Sequence, residues 1–215
     1  MMPVVFDLDG TLVDSLPGIA NAANRLLAEE GLAPLPQATV GGFVGMGVEV
    51  FLDRLIAATD LDAADRPRLA RRFLPIYEEA SLGTPLFDGV SEALGLLKAR
   101  GIPLGICTNK PSGPLRFVLE GLPEASLFDV VIAGDTLPQR KPDPAPLVLA
   151  FQKLGASRGL YVGDSETDAE TARRANMPFA LFTRGIRVSP VHEIPHDVAF
   201  DDFARLPGIY DGLLR

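Results

Sequence analysis

The feature that most constrains the fold of this 215-residue chain is an alternation of short apolar runs with longer amphipathic segments. The apolar runs are almost uninterrupted, which is typical of strands that are covered on both faces of a sheet. The predicted strands cover residues 3–6, 102–107, 130–133, 159–162 and 179–182. The predicted helices between them cover residues 90–100, 113–120, 144–154 and 167–175. Strands that alternate with helices indicate βαβ units, and therefore an α/β fold with a Rossmann-like core built on a parallel sheet.

The interval from residue 15 to residue 84 interrupts this alternation, because it contains helix-like stretches and no convincing strand. The predicted helices of this interval cover residues 18–30, 48–58 and 65–81. Loops that contain glycine or proline separate them, at residues 31–36 and 41–47. We therefore predict a small helical domain of residues 15–84, inserted after the first strand. The α/β core then consists of residues 1–14 and 85–215.

Charge and cysteine content exclude several classes of partner. The chain has 20 Lys and Arg against 28 Asp and Glu, a formal net charge of −8, so it lacks the basic surface that nucleic acid or an anionic membrane requires. Charged residues interrupt the apolar stretches well before the roughly 20 positions of a membrane helix. The single cysteine, Cys107, fits a reducing compartment. We expect a cytoplasmic protein with no nucleic-acid or membrane partner, and either a monomer or a homodimer.

The first predicted strand ends in two carboxylates, Asp7 and Asp9, which Gly10 and Thr11 follow. Ligands of open α/β sheets bind at the carboxyl ends of the strands. Two carboxylates at such a place repel each other unless a cation or a proton lies between them. One of them can serve as nucleophile and metal ligand while the other transfers a proton. Taken alone, an acidic turn without function explains this pair equally well.

Two other predicted strands also end in polar residues. Thr108 and Asn109 follow the second strand, and their hydroxyl and amide groups can donate hydrogen bonds to a phosphate oxygen. Asp164 follows the fourth strand, and Asp168 lies four residues later at a helix start. With the first acid pair, these acids form a set of hard oxygen ligands of the kind that Mg²⁺ prefers. Asp168 is also explained as an acid that faces the helix dipole.

Lys141 precedes Pro142, just before a predicted helix. A lysine held in such a restricted backbone can neutralise negative charge that develops in a reaction, although a solvated basic pair is the simpler explanation of this position alone. In the helical interval, Gly45 and Gly47 belong to a glycine-rich loop that either approaches a substrate closely or serves as a hinge. Four arginines of the same interval form a solvated face or supply a cation for a substrate carboxylate: Arg66, Arg68, Arg71 and Arg72.

The order of these motifs, an acid pair, a Thr, a Lys and a second acid pair, each near the end of an apolar strand, resembles the haloacid dehalogenase superfamily of aspartate-nucleophile phosphatases. The resemblance covers essentially the whole chain, and the helical interval matches the cap domain of these enzymes. It implies that Asp7 is the nucleophile and Asp9 the general acid and base. It also implies that Thr108 binds phosphate and that Lys141 neutralises charge.

The same resemblance implies a Mg²⁺ cofactor. The ion would be held by the side chains of Asp7 and Asp164 and by the backbone carbonyl of Asp9. It also implies supporting positions at Asp168, Gly10 and Thr11, and substrate contacts from Asn109, Gly45 and Gly47.

Residues 7–15, 108–111 and 134–144, together with the loop at 44–47, are similar to the phosphoglycolate phosphatases of that superfamily. This similarity implies a Mg²⁺-dependent phosphomonoesterase that hydrolyses 2-phosphoglycolate to glycolate and phosphate through an aspartyl-phosphate. A small phosphorylated metabolite is then the expected partner. Sugar-phosphate phosphatases, pyrophosphate phosphatases and phosphosugar mutases of the superfamily remain alternatives. A phosphorelay receiver, which also phosphorylates an Asp at a strand end, is an alternative of another class.

Overall fold

The computed structural model describes residues 1–213, and its centre is a six-stranded, all-parallel sheet in the order β3-β2-β1-β4-β5-β6. The strands are β1 (Val4–Phe6), β2 (Leu104–Cys107), β3 (Val130–Ile132), β4 (Leu160–Gly163), β5 (Phe179–Phe182) and β6 (Val198–Phe200). β1 lies at the centre, where Val5 pairs with Gly105 of β2 and with Tyr161 of β4. The sheet therefore brings the ends of three chain segments that are far apart in sequence next to one another.

The helices divide into two groups by their place in the chain. Between β1 and β2 lie α1 (Leu16–Glu29), α2 (Gln37–Gly41), α3 (Val48–Ala57), α4 (Arg66–Ala80) and α5 (Val90–Ala99). The later helices are α6 (Ser112–Glu120), α7 (Ala145–Lys153), α8 (Glu166–Ala175) and α9 (Leu206–Leu213). Short 3₁₀ turns complete the connections.

The hydrophobic core lies on both faces of the sheet. One cluster joins Val4 and Phe6 of β1 to α5, α6 and α9, and another joins Val5 of β1 to α7 and α8. Successive strand residues point to opposite faces, so a strand covered on both sides has to be apolar throughout. β1, β2, β4 and β5 are buried at every position, while the edge strand β3 is partly exposed.

Helices α1 to α4 form a cluster of their own, which we call the cap segment (residues 15–84). Its buried apolar residues come from all four helices and pack mainly against one another. The two chain segments that connect the cap segment to the sheet run side by side, because the Asp14 N–H donates to the Pro85 carbonyl and the Phe87 N–H to the Leu12 carbonyl. The division of the chain into two domains stays a prediction.

The predicted α/β fold with a parallel sheet is confirmed, and all five predicted strands are present with ends that shift by two residues or fewer. One strand, β6, and two α-helices, α2 and α9, were not predicted. β6 has three residues at the sheet edge, and α2 has five and ends inside the stretch that the sequence predicts as a loop. Within residues 1–213, every helix is too short or too polar to cross a membrane.

Candidate active site

The site lies where β1, β2 and β4 end, because parallel strands place their carboxyl ends at one edge of the sheet. Asp7 follows β1, Thr108 follows β2 and Asp164 follows β4. The Asp7 N–H donates to the carbonyl of Val162 at 2.8 Å, which fixes the chain direction at the end of β1. The structure thus brings together the polar strand ends that the sequence pattern singled out.

The turn after β1 requires a glycine at position 10. Gly10 has a φ of +83°, and a Cβ atom there would lie 2.4 Å from Asp164 Oδ2. Thr11, the next residue, is fully buried and donates a hydrogen bond of 2.6 Å from its hydroxyl to Asp164 Oδ1. Gly10 and Thr11 therefore hold Asp164 in place, and their supporting role in catalysis stays a prediction.

Three carboxylates converge behind this turn. Asp7, Asp164 and Asp168 each place an oxygen within 4.8 Å of the others. Burial raises the pKa of Asp164 well above its usual range, and the charges of Asp168 and Asp7 raise it further. Burial also raises the pKa of Asp7 to about 7, although Lys141 opposes the shift. These carboxylates need a cation beside them in order to be ionised together.

Lys141 supplies one such cation from the loop that precedes α7. Its Nζ lies 2.9 Å from Asp7 Oδ1 and 2.7 Å from Asp168 Oδ1, and it also donates to the hydroxyl of Tyr161. Burial lowers the pKa of Lys141, but Asp168 and Asp7 outweigh this effect and raise it overall. Lys141 is therefore a permanently charged ammonium group held against Asp7.

Asp168 holds Lys141 and begins helix α8. Its Oδ1 accepts hydrogen bonds from Lys141 and from the Tyr161 hydroxyl, and its Oδ2 accepts from the Ser165 hydroxyl at 2.6 Å and from two backbone N–H groups. The Ser165 side chain in turn accepts from the Asp168 N–H, so the two residues form a capping box. Burial raises the pKa of Asp168, but Lys141 outweighs it and lowers the pKa overall.

These contacts also show which residues suit a divalent cation. Both oxygens of Asp168 are engaged by protein donors, whereas Asp7 Oδ1 is buried and accepts no hydrogen bond of good geometry from the described residues. Within residues 1–213, Asp168 accepts five hydrogen bonds in all. Among the same residues, each oxygen of the buried Asp164 carboxylate accepts only one, from the Thr11 hydroxyl and from the Ile186 N–H, and so keeps a free lone pair at the same point. Hard oxygen donors of this number fit Mg²⁺, which binds through one or two carboxylates and keeps its other positions for water and phosphate. The residues present therefore fit the ion.

Thr108 and Asn109 both line the cleft, and both side chains make hydrogen bonds within the protein. Thr108 is buried, and its hydroxyl oxygen accepts from the Lys110 N–H at 3.1 Å. The Asn109 amide donates to the carbonyls of Gly45 and Lys141, and its oxygen accepts from the Lys141 N–H, each at 2.9 Å. Both N–H groups of this amide are thus used by the protein. The Asn109 side chain therefore links the glycine-rich loop to Lys141, and a contact of Asn109 with phosphate stays a prediction.

The cap segment forms the opposite wall of the cleft. Gly45 and Gly47 line it with positive φ angles of 107° and 85°. The other cap residues of this wall are mostly apolar: Ile19, Val44, Val48, Phe51, Phe73 and Tyr77. The wall therefore faces a bound substrate with methyl groups, aromatic rings and glycine backbone.

Lys110 is a functional candidate that the sequence analysis did not single out. Its Nζ donates to Asp9 Oδ1 at 3.1 Å and to the Tyr77 hydroxyl at 2.6 Å, and lies 4.2 Å from the centre of the Tyr77 ring. Tyr77 comes from the cap segment, 33 residues earlier in the chain. Spacing along the sequence gives no sign of this contact. The only sign of such a role in the sequence is that Lys110 directly follows Thr108 and Asn109 at the end of a strand.

The arginines of α4 do not line the cleft. Arg66 pairs with Asp53, Arg68 with Glu30 and Asp65, and Arg72 with Glu29, all at exposed positions. Arg71 is also exposed. The structure thus favours the solvated face over a substrate contact for these four residues.

Comparisons with known proteins agree with this geometry. The family model for haloacid dehalogenase-like hydrolases matches residues 4–182. A phosphoglycolate phosphatase of Cereibacter sphaeroides is 48% identical over 217 residues, with complete coverage of both chains. A phosphoglycolate phosphatase of Rhodospirillum rubrum is 48% identical over 213 residues, which cover 94% of this chain and 88% of that one.

A solved structure gives the same result for the fold. The crystal structure of a predicted phosphoglycolate phosphatase from Haemophilus somnus superposes with a TM-score of 0.90. It is 32% identical, and the match covers 97% of each chain. The similarity therefore includes the cap segment as well as the sheet.

Proposed function

Because the chain belongs to the haloacid dehalogenase-like hydrolases, we propose that it is a Mg²⁺-dependent phosphomonoesterase that hydrolyses 2-phosphoglycolate to glycolate and phosphate. The observation that best supports this reaction is the contact of Lys141 with both Asp7 and Asp168, beside the buried carboxylate of Asp164. Full-length relatives that are phosphoglycolate phosphatases support the substrate.

In the first step, a carboxylate oxygen of Asp7 attacks phosphorus, and the bond from phosphorus to the glycolate oxygen breaks. An aspartyl-phosphate forms on Asp7. Lys141, 2.9 Å from Asp7 Oδ1, favours the ionised form of this carboxylate and then balances the charge of the phosphoryl oxygens. A covalent intermediate replaces one difficult displacement by two easier ones.

Asp9 transfers the protons of both steps. It is two residues beyond Asp7 and lines the same cleft. As an acid it gives a proton to the departing glycolate oxygen. As a carboxylate it then takes a proton from the water that attacks the aspartyl-phosphate, which releases phosphate and restores Asp7.

The side chains of Asp7 and Asp164, with the Asp9 carbonyl, would hold Mg²⁺. When bound, this ion supplies positive charge to the phosphoryl oxygens. Thr108 lines the cleft at the end of β2, where its hydroxyl can donate to a phosphate oxygen. Asp168 contributes by keeping Lys141 in place.

The apolar cap wall supports a small leaving group. A sugar phosphate would present several hydroxyl groups to this wall, and the aliphatic and aromatic side chains there offer few partners for them. A glycolate group presents one methylene and one carboxylate, and a cation for this carboxylate, Lys110, lines the same cleft. This contrast favours 2-phosphoglycolate over the sugar phosphates that other members of the superfamily hydrolyse.

The test is kcat/KM for phosphate release with Mg²⁺ from 2-phosphoglycolate, glucose 1-phosphate and pyrophosphate, each repeated with excess chelator. We expect 2-phosphoglycolate to be the preferred ester and the chelator to abolish turnover. A preference for glucose 1-phosphate or pyrophosphate would contradict the substrate. Turnover that is unaffected by the chelator would contradict the cofactor.

A further inference from the structure

We infer that Lys110 is the residue that selects the substrate, by pairing with a carboxylate on the carbon next to the ester oxygen. This inference deepens the proposed function and depends on it. It assigns the substrate class as phosphate monoesters whose leaving group carries an anionic carboxylate.

The charges that line the cleft lead to this assignment. Among the described residues that line it, the acids are Asp7, Asp9 and Asp164, and Lys110 is the one cation. The cap segment contributes apolar side chains and glycines to this wall. A second anion on the substrate therefore meets no cationic side chain of the cap wall, and Lys110 is the group that can balance it.

The position of Lys110 fits the leaving group. Its Nζ lies 3.1 Å from Asp9 Oδ1, and Asp9 is the group that gives a proton to the departing oxygen. The departing oxygen must therefore lie within hydrogen-bond distance of Asp9. In 2-phosphoglycolate the carboxylate is separated from that oxygen by a single methylene group. An ammonium group beside Asp9 is thus within reach of this carboxylate.

One of the three N–H donors of Lys110 has no acceptor among residues 1–213. An ammonium group carries three N–H donors, and within residues 1–213 the side chain donates to two acceptors, Asp9 and the Tyr77 hydroxyl. Lys110 is only 4% exposed, so the third N–H has little access to bulk water except through the cleft. A carboxylate that enters the cleft would supply the missing acceptor.

Tyr77 positions this lysine. Its ring lies against the ammonium group at 4.2 Å, and its hydroxyl accepts a hydrogen bond of 2.6 Å. Burial lowers the pKa of Lys110, and the charge of Asp9 opposes this shift. The ring contact also favours the charged form, and both contacts restrict the rotation of the side chain. Because Tyr77 belongs to the cap segment, the cation is held between core and cap, where the leaving group has to lie.

The experiment compares two esters that differ in charge, 2-phosphoglycolate and 2-hydroxyethyl phosphate, in the wild type and in Lys110→Met. The measured quantity is the ratio of their kcat/KM values. We expect the wild type to prefer 2-phosphoglycolate, and Lys110→Met to reduce this ratio by about 10- to 150-fold, the range for a hydrogen bond to a charged group. Lys110→Arg should keep more of the ratio than Lys110→Met. Lys153→Met, at an exposed position of α7, is the matched control and should keep the wild-type ratio.

Three results would overturn the inference. An equal loss on both esters in Lys110→Met would show that the lysine acts on the chemistry common to them. A wild-type ratio of the two kcat/KM values near one would show that the carboxylate is not recognised. This result comes from the wild type alone, so it does not depend on whether a variant folds. Absence of Mg²⁺-dependent phosphate release from any ester would remove the proposed function itself, and so is distinct from the other two.

Discussion

The ammonium group of Lys141 lies 2.7 Å from Asp168 Oδ1, and both side chains are buried. Lys141 also contacts Asp7, so Asp168 holds the cation that the proposed nucleophile needs. The pair joins the loop before α7 to the first turn of α8. The chemistry proposed at Asp7 therefore depends on a residue that does not have to touch the substrate.

Replacing Asp168 by Asn should lower both stability and turnover. The buried ammonium group of Lys141 loses one of its two carboxylates, and removal of one partner of a buried pair costs roughly 3–5 kcal/mol. Urea denaturation measures the stability, and kcat on 2-phosphoglycolate measures the turnover. Glu170→Gln is the control, because Glu170 lies on the same helix and pairs with Arg173 and Arg174 at the surface. We expect its denaturation midpoint to stay near that of the wild type, and an equal effect of the two substitutions would contradict this role of Asp168.

Replacing Asn109 by Ala should release the glycine-rich loop from the core. The substitution removes the hydrogen bonds to the Gly45 carbonyl and to both backbone groups of Lys141. Hydrogen exchange at the Lys141 amide should become faster, because this amide loses its acceptor, and kcat/KM should fall. Asn24→Ala is the matched control, since Asn24 makes two hydrogen bonds to Leu35 within the cap segment. Unchanged exchange at Lys141 in Asn109→Ala would contradict the link.

Replacing Gly10 by Ala should destabilise the protein through two separate effects. A non-glycine residue with positive φ costs about 1–2 kcal/mol, and a Cβ here would also lie 2.4 Å from Asp164 Oδ2. Gly101→Ala isolates the first effect, because Gly101 has a φ of +72° and no atom within 4 Å of an added Cβ. We expect a larger loss of unfolding free energy in Gly10→Ala than in Gly101→Ala. Equal losses would mean that Asp164 can move away without cost.

Cys107 should be unreactive in the folded protein. The thiol is buried at the end of β2, and burial raises its pKa to about 12, so at pH 8 it remains protonated. The thiolate is the reactive form. A colorimetric thiol reagent should label the native protein slowly and should label one thiol per chain after denaturation in urea. Rapid labelling of the native protein would contradict the burial of β2.

The positions of the strands could be predicted because a strand that is buried on both faces appears in the sequence as a short run without charged residues. β6 does not show such a run. It has three residues, two of them only partly buried, and Asp197 directly precedes it. α2 was missed because five residues between prolines and glycines carry too little periodicity to predict a helix.

The polar residues at the strand ends could be predicted for a related reason. A parallel sheet brings Asp7, Thr108 and Asp164 together whatever the length of chain between them. The contact of Lys110 with Tyr77 could not be predicted, since it depends on how the cap segment lies against the core. The sequence also did not reveal that the amide of Asn109 is used within the protein.

The most direct test of the central claim is the turnover of Asp7→Asn on 2-phosphoglycolate with saturating Mg²⁺, measured beside the wild type. Asn109 and Lys141 keep their contacts with each other in this variant, so a thermal melt should show a folded protein. If Asp7 is the nucleophile, kcat falls to the background of the assay and no phosphate is trapped on the protein after an acid quench. Near-normal turnover in a folded Asp7→Asn protein would contradict the mechanism.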